Sequence, residues 1–199
     1  MVFAKAPEAG RVKTRLVPVL GEEGAARLHR QLVEHALGIA QACGLGEVEL
    51  WCAPDAADPF FNECAMRHGA RLCEQGPGDL GARMKRALDG AFAQGARGVL
   101  IGSDCPAMSP DYLRQAAAAL ADGNDAVFGP AEDGGYVLAG MARAPAALLF
   151  DAMAWGTASV MQRTRERLTR LAWRWHELPV LWDVDRPEDV LRMRSAAEG

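Results

Sequence analysis

Gly98-Val99-Leu100-Ile101-Gly102 runs straight into Ser103-Asp104-Cys105-Pro106. An unbroken apolar run that stops on a carboxylate and a proline suits a strand covered on both faces, the signature of a parallel sheet. The flanking sequence repeats the theme. Upstream, residues 1–5, 48–52 and 70–74 read as strands, separated by helices at 22–43 and 59–68 and followed by a third at 79–94. The first helix shows itself by Ala25, Ala26, Leu28, Leu32, Val33, Ala36, Leu37 and Ala40, which recur near helical spacing. Asp79 stands where an N-cap belongs, and Ser109-Pro110 places a cap and a first-turn proline ahead of a helix to about 121. Downstream come strands at 125–129 and 136–139, a helix at 159–171, a strand at 174–178 and a closing helix from Pro187 to Ala196. Strands alternating with helices predict one α/β domain over 1–199, with a Rossmann-like, mostly parallel sheet and helices on both faces.

The chain has 199 residues, 50 % of them hydrophobic, and 22 basic against 26 acidic side chains give a formal charge of -4. That acidic balance, with no aromatic-basic stripe, argues against nucleic acid as a partner. No apolar run approaches the ~20 residues of a membrane span, and the start lacks the order of a signal peptide, so a cytoplasmic location is expected. Five cysteines without a C-x-x-C pair read as reduced core residues, and the four histidines show no ligand spacing.

In open α/β sheets ligands bind beyond the carboxyl ends of the strands, and the polar and glycine-rich segments fall there together. After the first strand, Lys5, Arg11, Lys13 and Arg15 crowd eleven residues of an acidic chain, interleaved with Pro7, Gly10 and Thr14. Such a loop suits a polyanionic small molecule, because Lys and Arg neutralise phosphate and Gly lets backbone N–H groups approach. After the central strand stands Asp104, a helix cap, a turn former or a metal ligand. A second acidic cluster, Asp183-Val184-Asp185, precedes the last helix, where Asp189 suits the helix dipole. Mg²⁺ typically takes one or two carboxylates plus phosphates, so one Asp from each loop would serve it. Asp133-Gly134-Gly135-Tyr136 is a hairpin turn or a backbone opened for a ligand, and Leu80-Gly81-x-Arg83 opens a helix whose first N–H groups suit an anion or a base edge.

Five ordered motifs carry a family resemblance: Phe3-x-Lys5-x-Pro7-x-x-Gly10-x-Val12-Lys13-Thr14-Arg15-Leu16, Gly78-Asp79-Leu80-Gly81-x-Arg83-Met84, Gly102-x-Asp104-Cys105-Pro106, Gly129-Pro130-x-x-Asp133-Gly134-Gly135-Tyr136 and Asp183-x-Asp185-x-Pro187-x-Asp189. Over nearly its whole length the chain resembles the bacterial glycosyltransferase-like family associated with arsenosugar and radical-SAM gene clusters, within the nucleotide-diphospho-sugar transferase superfamily of GT-A-like fold. Lys13-Thr14-Arg15-Leu16 and the Gly-Gly pair also resemble 2-phospho-L-lactate guanylyltransferases and, more distantly, molybdenum-cofactor guanylyltransferases. The resemblance implies that Lys5, Lys13 and Arg15, with Pro7, Gly10 and Thr14, hold nucleotide phosphates. It implies that Asp104 and Asp185 hold Mg²⁺ (or Mn²⁺), that Leu80, Gly81 and Arg83 lie near base or ribose, and that Asp133, Gly134, Gly135 and Tyr136 face an acceptor or sugar. Lys13, Asp104 and Asp133 are then the catalytic candidates. In that family the first strand begins a few residues further ahead of Phe3, and Trp155-Gly156-Thr157 is a loop of unassigned role.

Three functions follow as expectations. Glycosyl transfer from a nucleotide-diphospho-sugar to a small acceptor comes first on family grounds. Nucleotidyl transfer from a triphosphate to a phosphorylated small molecule is its alternative, favoured by the dense cations. A nucleotide-binding module without chemistry is the third.

Overall fold

The computed structural model describes residues 1–197, so the last two residues of the expected 1–199 domain lie outside it. Seven strands form one sheet: β1 (Val2–Lys5), β2 (Glu49–Ala53), β3 (Arg71–Glu74), β4 (Gly98–Gly102), β5 (Ala126–Pro130), β6 (Tyr136–Met141) and β7 (Trp175–Glu177). Their spatial order is β3-β2-β1-β4-β6-β5-β7. All neighbours are parallel except β6, which runs antiparallel to both β4 and β5. The order reverses between β1 and β4, which leaves a crevice at the carboxyl ends of those two strands.

Among the described residues seven α-helices accompany the sheet: α1 (Val17–Ala42), α2 (Pro59–His68), α3 (Leu80–Ala93), α4 (Pro110–Ala121), α5 (Ala147–Phe150), α6 (Val160–Arg170) and α7 (Pro187–Ala197). The expected caps are present: Asp79 accepts from Ala82 N–H and Ser109 from Tyr112 N–H. α1 differs from the expected 22–43. It opens with a turn begun by Pro18, and Gly21 breaks it with φ 69°, ψ 168°, a conformation open to glycine. The short α5 was not legible in the sequence, being less than two turns of periodic signal.

Alternation along the strands splits the core into two layers. Val2, Ala4, Leu50, Cys52, Ile101, Val127 and Leu138 pack under α1, α2 and α4. Phe3, Leu100, Phe128, Ala139 and Met141 pack under α3, α5 and α6. A smaller cluster of Leu16, Leu28, Leu32, Val184 and Val190 fastens the segment before α7 to α1. That cluster brings the Asp183–Asp185 loop to the β1–β4 crevice. Among the described residues no helix is long and apolar enough to cross a membrane.

Candidate active site

The loop after β1 ends in a 3-10 turn, Thr14–Leu16, and Lys13 caps it in the left-handed region with φ 49°. A non-glycine residue there is uncommon and costs about 1–2 kcal/mol. Its side chain offsets that cost. The Lys13 ammonium, only 5 % exposed, lies 2.9 Å from Asp104 Oδ1 and donates to the Val184 carbonyl at 2.6 Å. Val184 N–H in turn donates to the Asp104 carbonyl at 2.9 Å. The Lys13 side chain and the backbone of Val184 thus stitch together the loops after β1, after β4 and before α7.

The Asp104 side chain remains 45 % exposed. Crowding by protein atoms pushes its carboxyl up, but the Lys13 ammonium first and then the Ser103 hydroxyl outweigh this and hold it below the usual carboxylate range. Oδ1 is taken by Lys13 and approached by Ser103, and Oδ2 has no partner among the described residues. Nearby, Asp183 is pushed up to about 6, first by burial and then by the charges of Asp133 and Asp104. It has no cationic ion-pair partner among the described residues. Asp185 does: Arg15 pairs with its Oδ2.

His29 enters from α1. It is 4 % exposed, its Nε2 lies 2.9 Å from the Lys5 carbonyl, and its Nδ1 lies 3.9 Å from Asp104 Oδ1 with no hydrogen-bond partner. Burial lowers its pKa, partly offset by Asp104. A neutral ring with hydrogen on Nε2 satisfies the carbonyl and braces the end of β1. Its place among Ala25, Ala26, Leu28, Leu32 and Val33 on the apolar face of α1 was the available signal.

The structure therefore joins Lys13, Asp104, Arg15 and Asp185 in one network, with Lys5 exposed at the end of β1 and without an ion-pair partner among the described residues. Pro7 is buried, Gly10 takes φ 75° and Thr14 is exposed, so these three shape the loop. Asp133 is exposed and Oδ1 accepts the Gly135 N–H at 2.8 Å.

The remaining candidates gather on the α3 side. Leu80 joins Asp133, Gly135 and Tyr136 around one cavity. Gly81 is buried: a Cβ there would come within 2.7 Å of the Phe150 carbonyl and 2.8 Å of the Trp155 ring. Arg83 donates to the Gly78 carbonyl at 2.9 Å. Gly134, with φ 88°, packs so tightly that a Cβ would meet the Ala158 carbonyl at 2.2 Å, and its own carbonyl accepts from Met161 N–H at 2.9 Å. Both glycines thus have a structural reason, the close docking of residues 150–161. Cys105 is buried and its thiol is pushed up to about 11 by that burial, which leaves it inert as a nucleophile.

A protein from Desulfovibrio desulfuricans G20, described provisionally as a nucleotide-diphospho-sugar transferase, is 36 % identical, with TM-score 0.82 over 93 % of this chain and 80 % of its own. A nucleotidyl transferase from Methanothermobacter shares the fold at 19 % identity and TM-score 0.64, over 98 % and 95 % of the two chains. So does glucosyl-3-phosphoglycerate synthase from Mycobacterium tuberculosis, solved with Mn²⁺, UDP and glucosyl-3-phosphoglycerate, at 15 % identity and TM-score 0.54 over 98 % and 76 %. No curated protein matches the chain in sequence. The sequence profile of one bacterial family matches residues 36–157. The chain belongs to that family, described as uncharacterized proteins conserved in bacteria (DUF2064), and it carries the fold shared by nucleotide-diphospho-sugar transferases and nucleotidyltransferases.

Proposed function

We propose that the chain is a divalent-metal-dependent transferase acting on a nucleotide, and that its reaction is nucleotidyl transfer. The phosphate of a small acceptor attacks the α-phosphorus of a nucleoside triphosphate, and pyrophosphate leaves. One observation carries this reading: the buried Lys13 ammonium paired with the half-exposed Asp104, with Lys5 and Arg15 on the same loop. The loop after β1 supplies the cations, and the loops after β4 and before α7 supply the carboxylates paired with them. A triphosphate with its metal ion matches both, phosphate oxygens to the cations and metal to the carboxylates.

The donor set fits such a metal. Asp104 keeps Oδ2 open, and Asp183 feels the charges of Asp133 and Asp104 more than that of Lys13, with no ion-pair partner of its own among the described residues. We assign the second carboxylate to Asp183 in place of Asp185, because Arg15 already engages Asp185. When bound, Mg²⁺ or Mn²⁺ supplies neutralising charge for the phosphates and the leaving pyrophosphate. The chain does the positioning. Lys13 exchanges Asp104 for a phosphate oxygen, Lys5 and Arg15 add two cations, and His29 holds the carbonyl end of β1 under them. The bond formed joins an acceptor phosphate oxygen to the α-phosphorus, and the bond broken releases pyrophosphate. The attacking oxygen is already ionised, so no general base is needed, and Asp133 acts by charge and orientation.

Glycosyl transfer is the second reading, supported by the description of the 36 % identical relative. There an acceptor hydroxyl would need a base. Asp133 is the available one, since both oxygens of Glu132 are held by Arg192 at 2.7 and 2.9 Å. Thermal-shift titration with the four nucleoside triphosphates and a panel of nucleotide sugars, with and without Mg²⁺, separates the two. A triphosphate with Mg²⁺ is expected to give the largest shift, and Lys13→Ala or Asp183→Asn to remove most of it. A larger shift from a nucleotide sugar puts glycosyl transfer first, and no shift from either at millimolar concentration defeats both.

A further inference from the structure

Arg192 lies on α7, outside the charged loops of the crevice, yet it ties two of them together. Both of its terminal nitrogens donate to Glu132, Nη1 to Oε2 at 2.7 Å and Nη2 to Oε1 at 2.9 Å, which makes a two-pronged fork. The guanidinium carbon also stands 4.4 Å from the centre of the Trp182 ring. Glu132 immediately precedes Asp133, and Trp182 immediately precedes Asp183. One side chain from α7 therefore grips the neighbour of each carboxylate. The backbone joins the same two segments. Glu132 N–H donates to the Leu181 carbonyl at 3.0 Å, and Leu181 N–H to the Pro130 carbonyl at 3.0 Å.

Such a clamp works against a force. Burial first, and then the charge of Asp133, push Asp183 up to about 6, so the two carboxylates lie close enough to repel. Left to themselves, the two loops would separate to relieve that repulsion. The clamp adds little to overall stability, because the Arg192 and Glu132 side chains are 47 % and 53 % exposed and exposed ion pairs contribute weakly. What the fork and the stacked ring supply is direction. A planar guanidinium held by two parallel hydrogen bonds and an aromatic face has one orientation, which a lysine ammonium would not reproduce.

We propose that Arg192 is a positioning residue for the divalent metal: by gripping Glu132 and Trp182 it holds the Asp133 and Asp183 loops together where the metal needs its carboxylates. The proposal rests on the assignment of the metal to Asp104 and Asp183. Asp183 is the ligand, Asp133 lends charge from the facing loop, and Arg192 acts through its two neighbours. Charge alone predicts the opposite sign. Removing a cation from the vicinity of carboxylates favours a dication, so an Arg192 acting by charge would hinder the metal.

Titration of the full chain with Mn²⁺, followed by the paramagnetic resonance signal of the free ion, separates the two. Asp183→Asn locates the ion and should weaken its binding about ten-fold or more. Arg192→Ala and Glu132→Gln should each weaken it about five-fold, less than loss of a ligand because they act from further out. The double variant should do no worse than either single one, since each removes the same clamp. Arg192→Lys, which keeps the charge and loses the fork, should also weaken Mn²⁺ binding. Urea unfolding of these exposed-site variants should show almost unchanged midpoints. Unchanged or tighter Mn²⁺ binding by Arg192→Ala overturns the proposal. So do additive losses in the double variant, or a loss of binding matched by a loss of folding in urea. No Mn²⁺ binding by the unaltered chain at millimolar concentration, or indifference to Asp183→Asn, refutes the metal assignment itself and the proposal with it.

Discussion

Lys13 combines a strained backbone with a buried charge, and the two can be separated by mutation. Lys13→Ala keeps φ 49° unfavourable and removes the ammonium from Asp104 and Val184. Breaking a fully buried pair costs about 3–5 kcal/mol, and the 45 % exposure of Asp104 reduces this to ~2 kcal/mol. Lys13→Gly loses the same ammonium but suits the left-handed backbone, so it should be more stable than Lys13→Ala by ~1 kcal/mol in urea unfolding. Equal stability of the two would show that the backbone is not strained. At this scale the sequence was read best where charge was concentrated. The cations at 5, 13 and 15 and the carboxylate at 104 stand out because of what surrounds them in the chain. Asp183 and Asp185 cannot be told apart in this way, because both sit in one acidic loop and their surroundings, Arg15 against Asp185 and burial around Asp183, come from the fold. What packs against Gly81 and Gly134, the Trp155 ring and the Ala158 backbone, lies far away in sequence and could not be read there.

Elements were legible where they carry several turns of periodic signal and a cap, as α3 and α4 do. The kink at Gly21 and the short α5 escaped because tertiary contacts decide them. Two element-scale contacts are open to test. Residues 158–161 dock on the β5–β6 hairpin through Gly134. Gly134→Ala combines φ 88° with a 2.2 Å clash against backbone and should cost ~3 kcal/mol or more by thermal or urea unfolding. A loss under 1 kcal/mol would mean that the docking is loose. The second contact ties α1 to α2. Glu34 accepts from His68 Nε2 at 2.6 Å and pairs with Arg67. Burial works to raise its carboxyl, and the His68 and Arg67 hydrogen bonds outweigh it and hold it below its ordinary 4.5. A carboxyl with a depressed folded pKa adds stability above its unfolded value, lost as pH falls through the folded one. Glu34→Gln should therefore cost about 1 kcal/mol at pH 7, and the difference should shrink as pH drops below 4.5. A difference independent of pH would assign the effect to packing instead.

Across the whole molecule, one sheet serves both core layers. Phe3 faces α3 while its neighbours Val2 and Ala4 face α1, and Leu100 and Ile101 divide in the same way. Neither layer can melt while keeping the strands of the other, so unfolding is expected as a single transition with calorimetric and van't Hoff enthalpies that agree. Two resolved transitions would show independent layers. This level was the most legible of the three, since alternation of strands and helices dictates a mostly parallel sheet. The antiparallel insertion of β6 between β4 and β5 follows from the short hairpin at Asp133–Gly135, which cannot make a parallel crossover.

The stitch at Lys13 has a thermodynamic consequence. With nothing bound, the crevice carries its own counter-ions: ammonium on carboxylate, guanidinium on carboxylate. A phosphate arriving alone must strip Lys13 from Asp104 and leave an anion uncompensated, and a metal ion arriving alone on Oδ2 sets its charge beside an ammonium that has no other anion to turn to. Together they perform a double exchange in which every charge finds a new partner. Nucleotide and metal should therefore bind with positive cooperativity, each tightening the other by the same factor, as reciprocity of coupling requires. In Lys13→Ala that factor should fall toward one.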